Sequence, residues 1–254
     1  MGLWPWHPLL LSLGVAAVAT ILSLLLGVAG GVLLSRRRFA GRELVDAILC
    51  LPLTLPPTVL GYYLLVLLGR LSPLGQLWEA VFGQPLTFTP AAAVVAAMVH
   101  GVPSILKASR AALEDVDPLL LRAAASLGAS ELRSILTVAL PVARRPIVAA
   151  TMLAFARALG DFGVTLMIAG DIPGHTQTAA LAIYDAVQAG RQGQALGLVA
   201  ALSLIALSIL YATNRLSDRS RDEDRHSMPP RAAARTTPDA MDARTAGHDA
   251  GGRT

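Results

Sequence analysis

Long apolar runs without charge constrain the fold of this chain more than any other feature. The first run, Leu9–Ser35, contains no charged residue. A helix needs about 20 apolar residues to cross the hydrocarbon core of a membrane, and backbone groups in lipid must be satisfied within their own segment. The run therefore predicts a membrane-spanning helix.

Five runs of this kind predict an all-α integral membrane protein. The predicted spans are Leu9–Ser35, Ala47–Gly69, Pro90–Leu106, Ile147–Ile168 and Gln194–Thr213. Only 15% of the residues are charged, whereas a soluble domain carries about a quarter. The first run has no basic residue before it and is longer than the apolar core of a secretory signal, so we expect it to be retained as a span.

The basic residues predict how the spans are oriented. They are concentrated after the first span, between the third and fourth, and after the fifth, whereas the other two connections contain only Arg70 and Arg191. Because Arg and Lys accumulate in cytoplasmic loops, we expect the N-terminus outside and the C-terminus inside. The net charge of +4 reflects this distribution, and we expect no nucleic-acid partner.

The chain is predicted to divide into a membrane domain and a tail. Residues 1–214 form the transmembrane domain, whereas residues 215–254 mix Arg with Asp and Glu and add prolines, alanines and glycines. Such a segment has little apolar surface with which to form a core. We therefore predict a disordered cytoplasmic tail.

The loop between the third and fourth spans, residues 107–145, contains signals for two short helices. Asp117 can cap a helix that starts at the following proline, and Gly128 can end it in a left-handed conformation. Ser130 can cap a second helix that ends at Leu140. The first helix leaves an apolar patch, which predicts a binding partner. The alternative is an amphipathic connector that lies on the lipid headgroups.

The same loop carries a spaced motif: Ala123-Ala124, then Gly128, then Val138-Ala139-Leu140-Pro141. It resembles the loop motif of binding-protein-dependent ABC importer permeases, whose short helix docks in a cleft on the ATP-binding subunit. The resemblance implies that the coupling residues are Arg122, Ala123, Ala124, Gly128, Leu140 and Pro141. The family has Glu where Arg122 stands, so a matching acidic residue is expected on the partner ATPase.

Four further stretches resemble the molybdate permeases of that family: Leu51–Tyr63, Arg157–Gly163, Ile172–Thr178 and Ile183–Gln188. Those permeases usually have Glu where Asp161 stands, which is a conservative difference. Sulfate permeases are similar too, with weaker agreement at the tyrosine pair and in the last stretch. The resemblance implies import of molybdate or tungstate, with sulfate as the alternative substrate.

The resemblance also implies an assembly in the inner membrane. It implies a homodimer in lipid with the path at the subunit interface, two copies of an ATP-binding subunit, and a periplasmic oxyanion-binding protein. The chain contains no Gly-x-x-x-x-Gly-Lys-[Ser/Thr] motif. We therefore expect a non-catalytic permease with no cofactor or metal of its own, and ATP and Mg on the partner subunit.

The second span contains prolines that suit a helix lining a path. Because proline lacks an N–H and kinks a helix, it is tolerated in a membrane where protein or a cavity satisfies the freed carbonyls. The candidate path residues here are Thr54, Pro56, Pro57, Thr58 and Tyr62. The alternative is a kinked helix that only packs.

The fourth span contains a pair of opposite charges, Arg157 and Asp161, one helical turn apart, with Thr165 one turn further on. Charges at this depth should face the bundle interior or water. They are candidates for substrate contact, and the alternative is a structural ion pair. Gly160 and Gly163 are expected to permit close approach of a neighbouring helix.

Two other classes of membrane protein remain as alternatives. An integral-membrane enzyme that used Asp161 or His100 would need a second carboxylate or a metal set, which the predicted spans lack. We expect His100 to be a hydrogen-bonded structural residue, and the lone Cys50 cannot form an intrachain disulfide. A secondary transporter would often show an inverted repeat and more spans.

Overall fold

The computed structural model describes residues 6–36 and 40–227, and the elements in these ranges are all helices. They are α1 (His7–Arg36), α2 (Arg42–Cys50), α3 (Pro57–Leu68), α4 (Pro73–Phe82), α5 (Pro90–Glu114), α6 (Pro118–Ser126), α7 (Glu131–Ser134), α8 (Leu140–Leu159), α9 (Gly163–Ile168), α10 (Ala179–Gln188) and α11 (Gln192–Ser227). A 3-10 turn at Leu51–Leu53 follows α2, and a π-helical segment at Ile135–Ala139 joins α7 to α8.

Within the described residues, four segments are long and apolar enough to cross a membrane: His7–Arg36, Pro90–Glu114, Glu131–Leu159 and Gln192–Ala212. A fifth crossing results if the bent pair Arg42–Leu53 and Pro57–Leu68 counts as one span. These segments confirm the predicted all-α membrane fold with about five spans.

The second span, predicted as a proline-kinked helix over Ala47–Gly69, is bent so sharply that it divides into two helices. Its two halves meet at an angle of 109°. Pro56 has an extended backbone, with φ −58° and ψ 141°, because a residue that precedes a proline is pushed out of the helical region. The proline pair at residues 56 and 57 therefore ends one half and starts the other.

The fourth span starts earlier in the chain than the predicted Ile147–Ile168. Its helix runs over Glu131–Leu159 and is interrupted at Gly160, and the last part of the predicted range forms the short helix α9. The prediction placed the start of the span after Arg144 and Arg145, but both side chains are exposed on a helix that packs against α5 with its other side. A helix can carry exposed arginines on one face without being interrupted, so these two residues do not mark its start.

The last helix begins near the predicted start of the fifth span and continues beyond the predicted start of the tail. It extends to Ser227, and residues 228–254 lie outside the described part of the chain. Residues up to Ser217 belong to one compact unit. Within this single chain only 6% of the apolar stretch of α11 is buried, so most of its surface is available to lipid or to another protein.

Helices α1 and α5 pack closely through small residues. A Cβ atom added to Gly27 would lie 2.8 Å from the Cβ of Ile105, and one added to Gly31 would lie 2.6 Å from the Cβ of Ser109. Hydrophobic attraction between helices is weak in lipid, so close van der Waals contact of this kind holds them together. This pair forms the centre of the bundle.

A second packing centre joins α3 and α9 to α1 and α5. Its buried side chains include Val15, Leu60, Ala96, Val164 and Ile168. Helix α9 is therefore anchored although it is only six residues long. This centre fixes the position of the two interrupted spans relative to each other.

Candidate functional site

The loop over residues 107–145 forms the two short helices that its capping residues predict. A carboxylate oxygen of Asp117 accepts a hydrogen bond from the N–H of Leu119 at 2.8 Å at the start of α6. Gly128 has φ +81°, and its N–H donates to the carbonyl of Ala125 at 3.0 Å. The hydroxyl of Ser130 accepts from the N–H of Arg133 at 3.4 Å. The turn at residue 128 therefore needs glycine for its left-handed backbone.

The second short helix does not stop at Leu140, as predicted, but continues into the membrane. The π-helical segment Ile135–Ala139 leads directly into α8. The ring of Pro141 would clash with the carbonyl of Thr137 in a regular α-helix, and the widened π turn lies at this place. The loop is therefore covalently continuous with the fourth span.

The loop exposes a row of large apolar side chains. Leu119, Leu127, Leu132 and Leu136 are exposed, with Leu127 at 89%. Of the residues predicted to couple to a partner, Arg122, Ala123, Gly128 and Pro141 are exposed, whereas Ala124 and Leu140 are partly buried. An apolar surface of this kind outside the membrane marks a protein or lipid contact.

Helix α6 leaves space between itself and the membrane helices. A cavity of about 230 Å³ separates it from α7 and the end of α1, and its lining includes Arg36, Leu121, Ala125 and Ile135. None of the α6 side chains is fully buried. This helix is therefore held chiefly at its ends.

The two interrupted spans meet at their interruptions. A Cβ atom on Gly163, where α9 starts, would lie 2.8 Å from the Cβ of Pro57, where α3 starts. One turn along α3, a Cβ atom on Gly61 would lie 2.6 Å from the Cβ of Met167. The expected close approach at Gly163 is confirmed, whereas Gly160 has only the carbonyl of Arg157 near it, at 3.9 Å.

Arg157 and Asp161 do not share a face in the middle of a helix, because α8 ends between them. The carboxylate of Asp161 accepts hydrogen bonds from the N–H of Thr165, at 3.1 Å, and from its hydroxyl. Asp161 therefore holds the first turn of α9. Thr165 is only 2% exposed, so its predicted place on a path does not fit this arrangement of the single chain.

The remaining path candidates lie on the surface of the single chain. The exposed ones are Thr54, Pro56, Pro57, Thr58, Tyr62 and Arg157, and Asp161 is partly buried. The hydroxyl of Thr54 donates to the carbonyl of Leu51 at 2.9 Å, which leaves its oxygen free to accept. The bend of the second span thus presents two threonines and a tyrosine outward.

His100 belongs to this region, although the sequence predicted only a structural role for it. The ring of His100, on α5, lines a cavity of about 10 Å³ together with Arg157 and Asp161, which is roughly the space of one water molecule. The signal that could have indicated this grouping is the rarity of ionisable groups in the predicted spans. His100 lies in the predicted third span, and Arg157 and Asp161 lie in the predicted fourth.

The end of the molecule at which α1 begins contains a wide cavity of about 720 Å³. It lies between the start of α1, the loop after α9, α10 and the start of α11. Its rim includes Asp185 and Arg191, which form an ion pair at 2.6 Å. Asp185 belongs to the stretch Ile183–Gln188, which lies on α10.

Comparison with known proteins decides the family. The model of the family described as "Binding-protein-dependent transport system inner membrane component" matches residues 14–221. The chain belongs to this family. Together with its apolar helices, membership makes it a multi-pass inner-membrane protein and the membrane component of a transporter.

Curated relatives cover most of the chain. The molybdenum transport system permease protein ModB of Escherichia coli K12 is 41% identical over 82% of this chain and 91% of its own length. The putative molybdenum transport system permease protein YvgM of Bacillus subtilis is 40% identical over 80% and 90%. The sulfate transport system permease protein CysT of E. coli is 32% identical over 80% and 73%.

Solved structures share the fold at low identity. The bacterial alginate ABC transporter, crystallised with a pentasaccharide-bound periplasmic protein, has a chain that superposes with a TM-score of 0.68 at 15% identity, over 84% of this chain and 78% of that one. A chain of the inward-facing MetNI methionine ABC transporter superposes with a TM-score of 0.60 at 18% identity, over 84% and 92%. Both support the fold.

Proposed function

We propose that this chain is the transmembrane permease subunit of an ABC importer that moves molybdate, or tungstate, into the cytoplasm. The observation that carries the proposal is the 40–41% identity to molybdenum transport permeases over 80–82% of this chain and 90–91% of theirs, against 32% to a sulfate permease. Tungstate is included because both oxyanions are tetrahedral dianions of nearly equal size. Sulfate is the second candidate.

The energy comes from separate ATP-binding subunits, two for each importer, which bind ATP and Mg. This chain is non-catalytic and holds no cofactor. The proposal is supported by the absence of a phosphate-binding Gly-x-x-x-x-Gly-Lys-[Ser/Thr] motif from the sequence. It is also supported by an exposed apolar loop that a soluble partner would cover.

Helix α6 is the part that docks on the ATP-binding subunit. Arg122, Ala123, Ala124 and Gly128 form the contact, and Leu140 and Pro141 connect it to the fourth span. Small side chains on α6 allow the helix to sit deeply in a cleft, while Leu127 provides an apolar anchor beside it. Because α8 continues from this loop without interruption, a displacement of α6 reaches the membrane helices.

The coupling loop lies in the cytoplasm and the N-terminus lies outside. The distribution of basic residues supports this orientation, since the two outer connections contain only Arg70 and Arg191. Arg and Lys accumulate in cytoplasmic loops, so the three connections that are rich in them belong to the cytoplasmic side. A periplasmic oxyanion-binding protein docks on the outer end.

The path lies between two copies of this chain, at the face that carries the bend of the second span. Arg157 supports this placement, because it lies at the end of the fourth span and is exposed in the single chain. A charge in a membrane segment faces a cavity or a partner and not lipid. The weakly packed α11 provides further surface for the second copy or for lipid.

Within this path, oxyanion contact is assigned to Thr54, Thr58, Tyr62 and Arg157, with Pro56 and Pro57 shaping the bend. Hydroxyl groups and one guanidinium stabilise a dianion without holding it permanently, as import requires release. Asp161 and Thr165 do not contact the oxyanion; their hydrogen bonds fix the position of α9, which packs against the helix that carries the bend. The membrane domain comprises residues 1–214, and residues 215–254 form a cytoplasmic tail that starts within α11.

Uptake in cells tests the proposed substrate. Cells that lack their own molybdate and sulfate permeases would express this chain with its ATP-binding subunit and binding protein. We expect uptake of labelled molybdate that excess tungstate abolishes and excess sulfate leaves largely intact. Uptake that sulfate abolishes would replace molybdate by sulfate, and no uptake of either oxyanion would overturn the proposed function.

A further inference from the structure

A network of six charged side chains joins α2 to the cytoplasmic end of α5. The guanidinium of Arg110 contacts Glu43 at 3.0 Å, Asp46 at 3.1 Å and Glu114 at 3.1 Å. The amine of Lys107 contacts Asp46 at 3.0 Å, and the guanidinium of Arg42 also pairs with Glu114. Three positive and three negative groups therefore balance.

The centre of this network is shielded from solvent. The Asp46 side chain is 8% exposed and that of Arg110 is 15% exposed. Pairs on an open surface contribute little to structure, whereas removing one member of a shielded pair leaves an uncompensated charge. The contacts of Arg110 and Asp46 therefore constrain how α2 sits on α5.

An apolar contact extends the same interface toward the membrane. Cys50 at the end of α2 and Leu106 on α5 are buried together with Leu34, and Leu53 packs against them. Helix α2 is thus attached to α5 along its whole length, by charges at its start and by apolar side chains at its end.

The network lies between two elements that the proposed transport cycle moves. Glu114 is the last residue of α5, and α6 starts at Pro118, immediately after the Asp117 cap. At the other end, α2 leads through Leu51–Leu53 into the 109° bend of the second span. The network therefore connects the base of the coupling helix to the helix that carries the bend.

We propose that Arg110 and Asp46 are positioning residues that make α2 and the end of α5 move as one body. A displacement of α6 by the ATP-binding subunit then pulls the end of α5, and α2 transmits this movement to the bend at residues 53–57. The proposal rests on the proposed function, since it requires a partner ATPase that moves α6. It adds a second route to the direct one through α8.

Cysteines that remove the network and then replace it by a covalent link test this proposal. The double variant Glu43→Cys/Arg110→Cys would be made in a Cys50→Ala background, and purified with the ATP-binding subunit in proteoliposomes. A short bifunctional methanethiosulfonate reagent would span the space left by the two shortened side chains. Molybdate uptake and ATP hydrolysis would be measured before and after linking.

Without the link, we expect molybdate uptake per ATP hydrolysed to fall roughly tenfold, in the range typical of coupling between two sites. With the link, we expect most of the uptake to return. Normal coupling of the unlinked variant would overturn the proposal. So would a link that blocks transport, because α2 and α5 would then have to separate during the cycle.

Three controls keep the outcomes distinct. The wild-type chain must itself take up molybdate, and its failure to do so would count against the proposed function and not against the network; because Cys50 lies in the same interface, coupling of the double variant is compared with that of the Cys50→Ala background. Arg70→Met removes an ion pair whose arginine is 71% exposed on the outer side, and it should leave coupling unchanged. If the double variant does not fold, Glu114→Gln, at the more exposed end of the network, should reduce coupling in the same direction, and unchanged coupling would overturn the proposal.

Discussion

Gly163 and Pro57 are in contact at the point where two membrane spans are both interrupted, and no side chain larger than hydrogen fits at residue 163. A Cβ atom there would lie 2.8 Å from the Cβ of the proline. The interruption of the second span and that of the fourth are therefore one structural feature. A change on either side of this contact should alter both.

Gly163→Ala tests this contact. We expect the variant to lose about 1–3 kcal/mol of stability, as is typical of overpacking, and to transport less. Gly160→Ala is the matched control, because residue 160 has only the carbonyl of Arg157 nearby, at 3.9 Å, and a negative φ of −99°. Melting temperatures in detergent compare the two, and equal values would show that the contact adjusts freely.

Gly128→Val tests the turn of the coupling loop. Valine in a left-handed conformation costs roughly 1–2 kcal/mol, so the turn should rearrange and ATP hydrolysis should continue with little uptake. Gly83→Val imposes the same strain at the end of α4, where φ is +72° and nothing crowds the site. If both variants transport equally well, the turn at residue 128 has no part in coupling.

Leu127→Asp distinguishes a docking surface from a connector that lies on lipid headgroups. The side chain is 89% exposed, so the change should leave the fold intact but prevent co-purification with the ATP-binding subunit. Leu71→Asp is the control, because Leu71 is 94% exposed in the connection between α3 and α4, away from the coupling loop. Retention of the ATP-binding subunit by Leu127→Asp would favour the lipid alternative.

Arg157→Ala tests the assignment of the path. We expect molybdate uptake to fall at least about tenfold, the equivalent of roughly 1.4 kcal/mol, while Arg157→Lys retains part of it. The yield of folded dimer in detergent should be unchanged for both. Wild-type uptake by the alanine variant would remove Arg157 from the path.

Asp171→Asn tests whether the charge of a partly buried carboxylate, in the loop between α9 and α10, destabilises the fold. Burial raises the pKa of Asp171 above its ordinary value of 3.8; a hydrogen bond from Gln177 opposes the rise, and the charge of Asp185 adds to it. The folded state therefore holds the proton of Asp171 more tightly than the unfolded state does. The free energy of unfolding falls as the pH rises from the unfolded-state pKa to the higher folded-state pKa.

The asparagine variant should therefore melt at a higher temperature than the wild type at neutral pH, and the difference should vanish below about pH 4. Melting curves between about pH 3.5 and pH 7.5 measure this directly. A variant that is less stable at neutral pH would show that the ionised carboxylate is stabilised by its surroundings.

Local signals made the coupling loop predictable from the sequence. Asp117, Gly128 and Ser130 each act on a backbone group within three residues of themselves, so the sequence contains all of the determining information. The number and type of the spans were predictable for a similar reason, because solvation by lipid depends on the composition of each run.

Contacts between distant segments were not predictable in this way. The end of the fourth span at Gly160 depends on Asp161 turning to Thr165 and on the packing of α9 against α3. The pairing of Asp46 with Arg110 depends on how α2 lies on α5. In both cases the sequence contains the charged residues but not the orientation of the helices that brings their side chains together.

Accumulation of labelled molybdate in proteoliposomes tests the central claim most directly. The purified chain would be reconstituted with and without its ATP-binding subunit, with loaded binding protein on the outer side and ATP on the side of the coupling loop. We predict accumulation above the external concentration only when the subunit and ATP are both present. Uphill accumulation by this chain alone, or none with the complete assembly, would contradict a permease that is driven through its cytoplasmic loop.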